Sequence, residues 1–382
     1  MEKQNVIDVV IIGGGLVGAT FAIDLAQKNP KLNIVIIEKK SIEANSIDAN
    51  RVYAISPQNV NYLSELHIWP EALAGTINYM DVYGDGNGNI KLDAQTANTL
   101  FLAKTIAAKD LYANILAKLS QLMNVKQVYD NLSDMVFHKN NIELIGNHRY
   151  FCSLVVGSDG ANSWVRTKAD IKFESKDYHQ YGVVANFTSQ FKHKNTAYQW
   201  FNQGEVLALL PLKNDQISIV YSCYNYEHIL KLNATEFENL IEQKLSLKLG
   251  KLKLSSKVDA FPLKMNTANK IYANRILLLG DAAHTIHPLA GQGVNIGFSD
   301  AQHLVKVLAK CKNYQLADKA ILIAYNNNRI PRIKNMQLIC NSLYELFATK
   351  NQIAIAARNL GLNFVNSNKI LKKIIINKTT NE

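Results

Sequence analysis

The chain has 382 residues, of which 48% are hydrophobic and 19% charged, and it carries a formal net charge of +11. That length implies two or three packed units, the composition excludes a disordered chain, and no apolar run approaches the roughly 18 to 20 residues that span a bilayer. The positive charge fits nucleic acid, an anionic membrane surface, or Lys used simply as the solvating residue; its scatter along the chain, without aromatic interleaving, argues against nucleic acid.

Val6 to Ile12 is a short β-branched run closed by Gly13-Gly14-Gly15 and reads as a buried strand. It has no basic leader, so no secretory signal is expected. Leu16 to Lys28 carries apolar residues at helical spacing and stops at Asn29-Pro30. Asn33 to Ile37 is a second buried strand, ending in Glu38. A β-α-β unit of this kind predicts a parallel sheet. Residues 78–92 read as a hairpin around Gly84 to Gly88, and Lys109 to Met123 as a helix. Alternation over 181–222 predicts a mostly antiparallel sheet, followed by a helix at 234–247. Arg275 to Leu279 is again a buried strand, running into Gly280-Asp281. Helical patterns then cover 294–310, 316–329 and 331 to about 360. This order implies a discontinuous nucleotide-binding domain with a second sheet domain inserted into it. The four cysteines, Cys152, Cys223, Cys311 and Cys340, form no CxxC pair; no metal site is expected, and a reduced cytoplasmic setting is.

Gly13, Gly15 and Gly18 form GxGxxG between a strand and a helix, with Glu38 at the end of the next strand. In such a motif the glycines permit the turn, the approach of a pyrophosphate and close helix packing. The acid accepts bonds from a ribose diol. This fingerprint alone leaves FAD and NAD open. Two later segments bear on the choice: Gly157-Ser158-Asp159-Gly160, and Gly280-Asp281-Ala282-Ala283-His284 continuing through His287-Pro288 and Gly291-Gln292-Gly293-Val294-Asn295 to Asp300. An Asp ending a buried strand suits a sugar or ribitol hydroxyl, and a glycine-opened helix start favours the negative charge of a reduced flavin ring. Pro288 stiffens the approach to that helix.

On these motifs, over residues 6 to 330, the chain resembles class A flavoprotein aromatic hydroxylases of the para-hydroxybenzoate hydroxylase type. His287 to Asp300, with Arg51-Val52-Tyr53-Ala54-Ile55-Ser56, is similar to the ubiquinone-biosynthesis monooxygenase family. The resemblance implies an α/β fold with a Rossmann-like FAD-binding domain (1–75, 95–175 and 265–330), an inserted mostly antiparallel β-sheet substrate domain (76–94 and 176–264) and a C-terminal helical region (331–382). It implies that Gly13, Gly15, Gly18 and Glu38 hold the ADP half of FAD. Arg51 meets the phosphate or ring side, Asp159 serves FAD and a transient NAD(P)H, and Asp281 holds the ribitol. Gly291, Gly293 and Asn295 face the isoalloxazine, with Pro288 beside them. The implied reaction hydroxylates a polyprenylated phenol with NAD(P)H and O2 through a C4a-hydroperoxyflavin; the alternatives are a small soluble aromatic substrate, or a flavin-binding redox protein that does not hydroxylate. The chain departs from the family where a helix near 105–115 usually opens with a polar flavin contact, since Ala107 and Ala108 stand there.

No catalytic base stands out. His284 and His287 are either proton carriers or structural, and Tyr53, Tyr181 and Tyr198 either line a ring pocket or fill core. The tail from Lys369 to Lys378 interleaves Lys with Leu and Ile, a pattern that suits peripheral contact with anionic lipid, a partner protein, or plain solvent.

Overall fold

The structure, a computed structural model, describes residues 6–40, 50–287 and 291–380. The chain opens with β1 (Ile7–Ile12), α1 (Leu16–Lys28) and β2 (Ile34–Glu38), then β3 (Val52–Ile55) and α2 (Pro57–Glu65). β4 (Gly75–Ile77) precedes the hairpin of β5 (Tyr79–Tyr83) and β6 (Asn89–Asp93). β7 (Ala103–Ala107) and α3 (Ala108–Leu119) return to the first unit, followed by β8 (Val125–Tyr129), β9 (Asp134–Phe137), β10 (Ile142–Ile145), β11 (Arg149–Gly157) and the short α4 (Trp164–Lys168). The long β12 (Phe173–Ser189) crosses to the second sheet with β13 (Thr196–Asn202), β14 (Glu205–Pro211) and β15 (Gln216–Cys223). After α5 (Tyr226–Lys231), α6 (Ala234–Lys244), β16 (Leu252–Leu254) and β17 (Asp259–Ala268), the chain comes back through β18 (Tyr272–Ala273) and β19 (Ile276–Leu278). It ends in four helices: α7 (Gly293–Leu308), α8 (Lys319–Ala348), α9 (Gln352–Ser367) and α10 (Lys369–Thr380).

The first sheet runs in the order β18-β19-β11-β1-β2-β8. Every pair from β19 to β8 is parallel. Val9, Val10 and Ile11 on β1 are fully buried, as are Val155 and Val156 on β11. That is why these strands read as continuous apolar runs: a parallel sheet is covered on both faces. Each such side chain contributes about 1.5–3 kcal/mol of burial.

The second sheet runs β16-β12-β15-β14-β13-β5-β6, with β17 on β12. It is antiparallel except where β13 meets β5. Its alternating residues, Val183, Ala185 and Phe187 on β12 and Ile217, Ile219 and Tyr221 on β15, form a separate core against Phe237 and Ile241 of α6. A capping box at Asn233 and Glu236 starts that helix. A small third sheet, β3-β7-β4, lies between them in sequence.

The helices after 316 differ from the expectation of a break near residue 330. α8 runs unbroken through Pro331 for 30 residues. Pro costs a helix one hydrogen bond, but Arg329, Ile333, Met336 and Cys340 around it are all buried, and this packing holds the helix across it. The chain breaks instead at Thr349, and Asn351 caps the next helix by accepting from the N–H groups of Ile353 and Ala354.

Candidate functional site

β1 ends in the Gly13–Gly15 turn. Gly13 has φ +97°, and a Cβ there would lie 2.5 Å from the carbonyl oxygen of Ser158, so the turn presses directly on the loop after β11. A Cβ on Gly18 would strike Gly13 O and Ser158 Oγ. Gly15 is different: no atom lies within 4 Å of where its Cβ would be. Gly15 is also the N-cap of α1, with no side chain bonded to the helix start and no acid in the first turn. The N-terminal amides of α1 therefore point, uncapped, into open space, which is the arrangement an anionic phosphate requires.

Glu38 stands beside this loop and accepts a hydrogen bond from the Gly14 N–H. Burial, helped by the charge of Asp159, raises its pKa, while the Gly14 bond pulls the other way. It borders a shallow surface notch with Tyr112, Leu116, Gln127 and Tyr129. Tyr112 Oη donates to Gly14 O at 3.0 Å and pins the loop from the other side.

Asp159 is committed within its own loop: its carboxylate accepts from Ser163 Oγ at 2.5 Å and from the Val165 N–H at 3.1 Å. The neighbouring Arg166 is buried and joins two segments of the site, donating to Ala161 O and Ala282 O, each at 2.8 Å. Arg51 is exposed, and its guanidinium makes no hydrogen bond or ion pair among the described residues. Its charge nevertheless acts on Asp281. Asp281 has an accessible surface, yet so much protein surrounds it that desolvation raises its pKa.

Gly291, with φ +61°, sits near Ala54 of β3. Gly293 opens α7, whose N-cap makes no side-chain bond, so a second helix start is left uncapped. The side chain of Asn295 is bonded within the protein. Its side chain is buried, donating to Ala54 O at 2.8 Å and accepting from Ser56 N at 2.9 Å and Asn59 Nδ2 at 3.0 Å. It clamps α7 to the β3–α2 corner. α7 also crosses α1 closely, since a Cβ on Gly297 would lie 2.7 Å from Val17 Cγ2. Pro288 lies outside the described residues. The contacts thus bring residues 13–18, 51–56, 157–166, 280–282 and 291–297 around one region. Within it the side chains of Asn295 and Asp159 both hydrogen-bond to the protein.

α3 begins at Ala108 with Ala107 as its N-cap and no side-chain cap, so the polar group missing from the sequence is missing from the helix start too. Tyr181 of β12 stacks on Tyr226 of α5, and Tyr198 stacks on Trp200 within β13.

Sequence spacing did not reveal one buried network. Asp300 accepts from Arg329 Nε at 2.6 Å and from the Gly280 N–H at 3.3 Å, and its Oδ2 lies 2.6 Å from His284 Nε2. Burial alone would raise the Asp300 pKa, but His284 and Arg329 outweigh it and hold the carboxyl below its usual range. This fixes the loop after β19 to α7 and α8, and gives His284 a structural partner. His284 and Asp300 stand in the motif; Arg329 comes from α8, where nothing in the local sequence singles it out.

The profile of the FAD binding domain family matches residues 6–338. The chain belongs to this family. Among relatives of this FAD-binding protein is the ubiquinone biosynthesis monooxygenase COQ6 of Dictyostelium discoideum, 24% identical, with 100% of this chain and 92% of the relative covered. The 3-demethoxyubiquinol 3-hydroxylase of Escherichia coli K12 is 27% identical over 96% of each chain. The ubiquinone hydroxylase UbiL of Rhodospirillum rubrum is 27% identical over 98% and 90%. The fold is shared with p-nitrophenol 4-monooxygenase PnpA of Pseudomonas putida (TM-score 0.81, 17% identity, 98% of both chains). It is also shared with PqsL of Pseudomonas aeruginosa (TM-score 0.77, 19% identity, 92% and 99%).

Proposed function

We propose that this protein is an FAD-dependent monooxygenase that hydroxylates an electron-rich, polyprenylated phenol ring in ubiquinone biosynthesis, using NAD(P)H and O2. The observation that carries the reading is the pair of uncapped helix starts, α1 and α7, whose Val17 and Gly297 both pack against Gly280, the residue before Asp281. FAD has that polarity: two phosphates, a hydroxylated ribitol and a ring that becomes anionic on reduction. The ubiquinone-hydroxylase names of full-length relatives supply the substrate class.

In this reading residues 1–75, 95–175 and 265–330 form the FAD-binding domain, 76–94 and 176–264 the substrate domain, and 331–382 the helical extension. The α1 amides, with Gly13, Gly15 and Gly18, hold the pyrophosphate, and the Glu38 carboxylate accepts from the ribose. Asp281 accepts from ribitol hydroxyls, and Arg51 supplies positive charge that acts on it. The α7 amides at Gly293 and Val294 stabilise negative charge on the ring. Asn295 and Asp159 are positioning residues that hold α7 and the 158–163 loop in place. Pro288 and Gly291 shape the approach. Bound FAD supplies the redox chemistry, accepting electrons from NAD(P)H and passing oxygen to the substrate. NAD(P)H binds transiently, because one GxGxxG serves the chain. The protein works in the cytoplasm, at the inner face of a membrane.

The test is an absorption spectrum of the purified protein, followed anaerobically with NAD(P)H and then with oxygen and a short-chain prenylated phenol. Flavin bands that bleach and return with hydroxylated product are expected. Reduction that yields only peroxide overturns the substrate, and a protein that takes up no FAD overturns the whole reading.

A further inference from the structure

The last two helices have two unlike faces. α9 is held to the hairpin of the second sheet by an asparagine ladder: Asn359, Asn363 and Asn366 accept from the backbone N–H groups of Gly88, Asn89 and Lys91 at 3.0–3.1 Å. Arg358, beneath the helix, is ion-paired to Asp85. This polar inner face covers the open edge of β6, and it turns the apolar residues outward. Ile353, Leu360 and Phe364, spaced i, i+7 and i+11, are 81%, 70% and 63% exposed. Ala356, Ala357 and Gly361 fill the rest of that face and are exposed too. The stripe contains no charged residue. α10, the next helix, also exposes large apolar side chains, Ile370 at 71% and Ile374 at 48%.

The border of this stripe has one sign of charge. From Thr349 to Thr380 the sequence has five Lys and one Arg and not one Asp or Glu. Arg358 is taken by Asp85; Lys350, Lys369, Lys373 and Lys378 are exposed. An uncharged stripe of large apolar side chains, rimmed by lysines, matches the boundary of an anionic bilayer: the side chains enter the acyl region and the ammonium groups meet phosphates. Among the described residues no helix is long and apolar enough to cross a membrane, so the surface lies in the interface plane.

We infer that the outer face of α9 and α10 docks the protein on an anionic lipid bilayer. The choice of a bilayer over other occupants rests on the proposed function, because a polyprenylated phenol partitions into membrane and the enzyme must collect it there. The charge complementarity is independent of that reading.

The test uses the full chain with its flavin, sedimented with phosphatidylcholine vesicles with and without phosphatidylglycerol. Binding is expected only with the anionic lipid, weakening with salt. Leu360→Ser with Phe364→Ser lowers partitioning about tenfold for each residue. Lys369→Gln, Lys372→Gln and Lys373→Gln together lower it about a hundredfold. Both variants keep the wild-type melting temperature and flavin spectrum, since the altered side chains lie on the surface. Failure of the wild type to bind anionic vesicles overturns the inference, as does binding that the variants leave unchanged. Light scattering that finds a dimer split by Leu360→Ser with Phe364→Ser also overturns it, and assigns the stripe to a second copy. Turnover of a short-chain phenol in free solution separates the two readings: its absence in a protein that binds vesicles defeats the proposed substrate and leaves the docking face standing.

Discussion

His287 has no exposed surface, and burial brings its pKa down to about 4. Tyr178 packs edge-on against the ring at 4.7 Å, Nε2 lies 3.4 Å from Gln180 Oε1, and Nδ1 has no hydrogen-bond partner among the described residues. The folded protein therefore keeps it neutral, while an unfolded chain protonates its histidines near the ordinary value of about 6.5. Its contribution to stability is complete above that value and is lost as pH falls toward 4, a difference on the order of 3 kcal/mol. His287→Phe is expected to flatten the pH dependence of urea unfolding between those limits, whatever it does at neutral pH. Gly13 is a residue of another kind, constrained by both φ and space. Gly13→Ala is expected to cost about 2 kcal/mol or more and to yield protein without flavin, measured by melting and by the ratio of flavin to protein absorbance.

Between elements, the crossing of α1 and α7 sets the distance between the two open helix starts. Gly297→Ala pushes a methyl into Val17 and is expected to cost about 1–3 kcal/mol. Val17→Ala in the same chain should return part of that loss, and a double-mutant cycle in denaturant measures the coupling. The β6 edge poses a different problem, since an open strand edge invites pairing with other chains. α9 answers it with side-chain amides. Asn359→Ala removes the acceptor for the Gly88 N–H, so faster hydrogen exchange at that amide and a loss of about 1 kcal/mol are expected.

At the scale of the molecule, five segments spread from residue 13 to residue 297 meet at the site, so FAD binds the folded chain and has no counterpart in the unfolded one. Free FAD at a hundred times its Kd then adds about 2.7 kcal/mol. Calorimetry at rising FAD concentration should show a climbing melting temperature; a transition indifferent to FAD contradicts the proposed site.

The sequence by itself determined the β-α-β opening, the buried strands and the alternating second sheet. These patterns are local: period-two alternation and continuous apolar runs record how many faces of a strand are covered. It also determined the glycine turns and the strand-end acids, because a short loop must carry its own backbone freedom. Tertiary structure alone decided which polar groups remain free. The Asn295 side chain is held by Ala54 and Ser56 from a distant segment, whereas Asp159 accepts from Ser163 and Val165 inside its own loop. Arg329 becomes part of the site only because α8 carries it against Asp300. Pro331 reads as a helix break, yet burial on either side outweighs one missing N–H. The outward turn of Leu360 and Phe364 was equally hidden. Helical spacing shows a stripe, and only the asparagine ladder against β6 shows which way it faces.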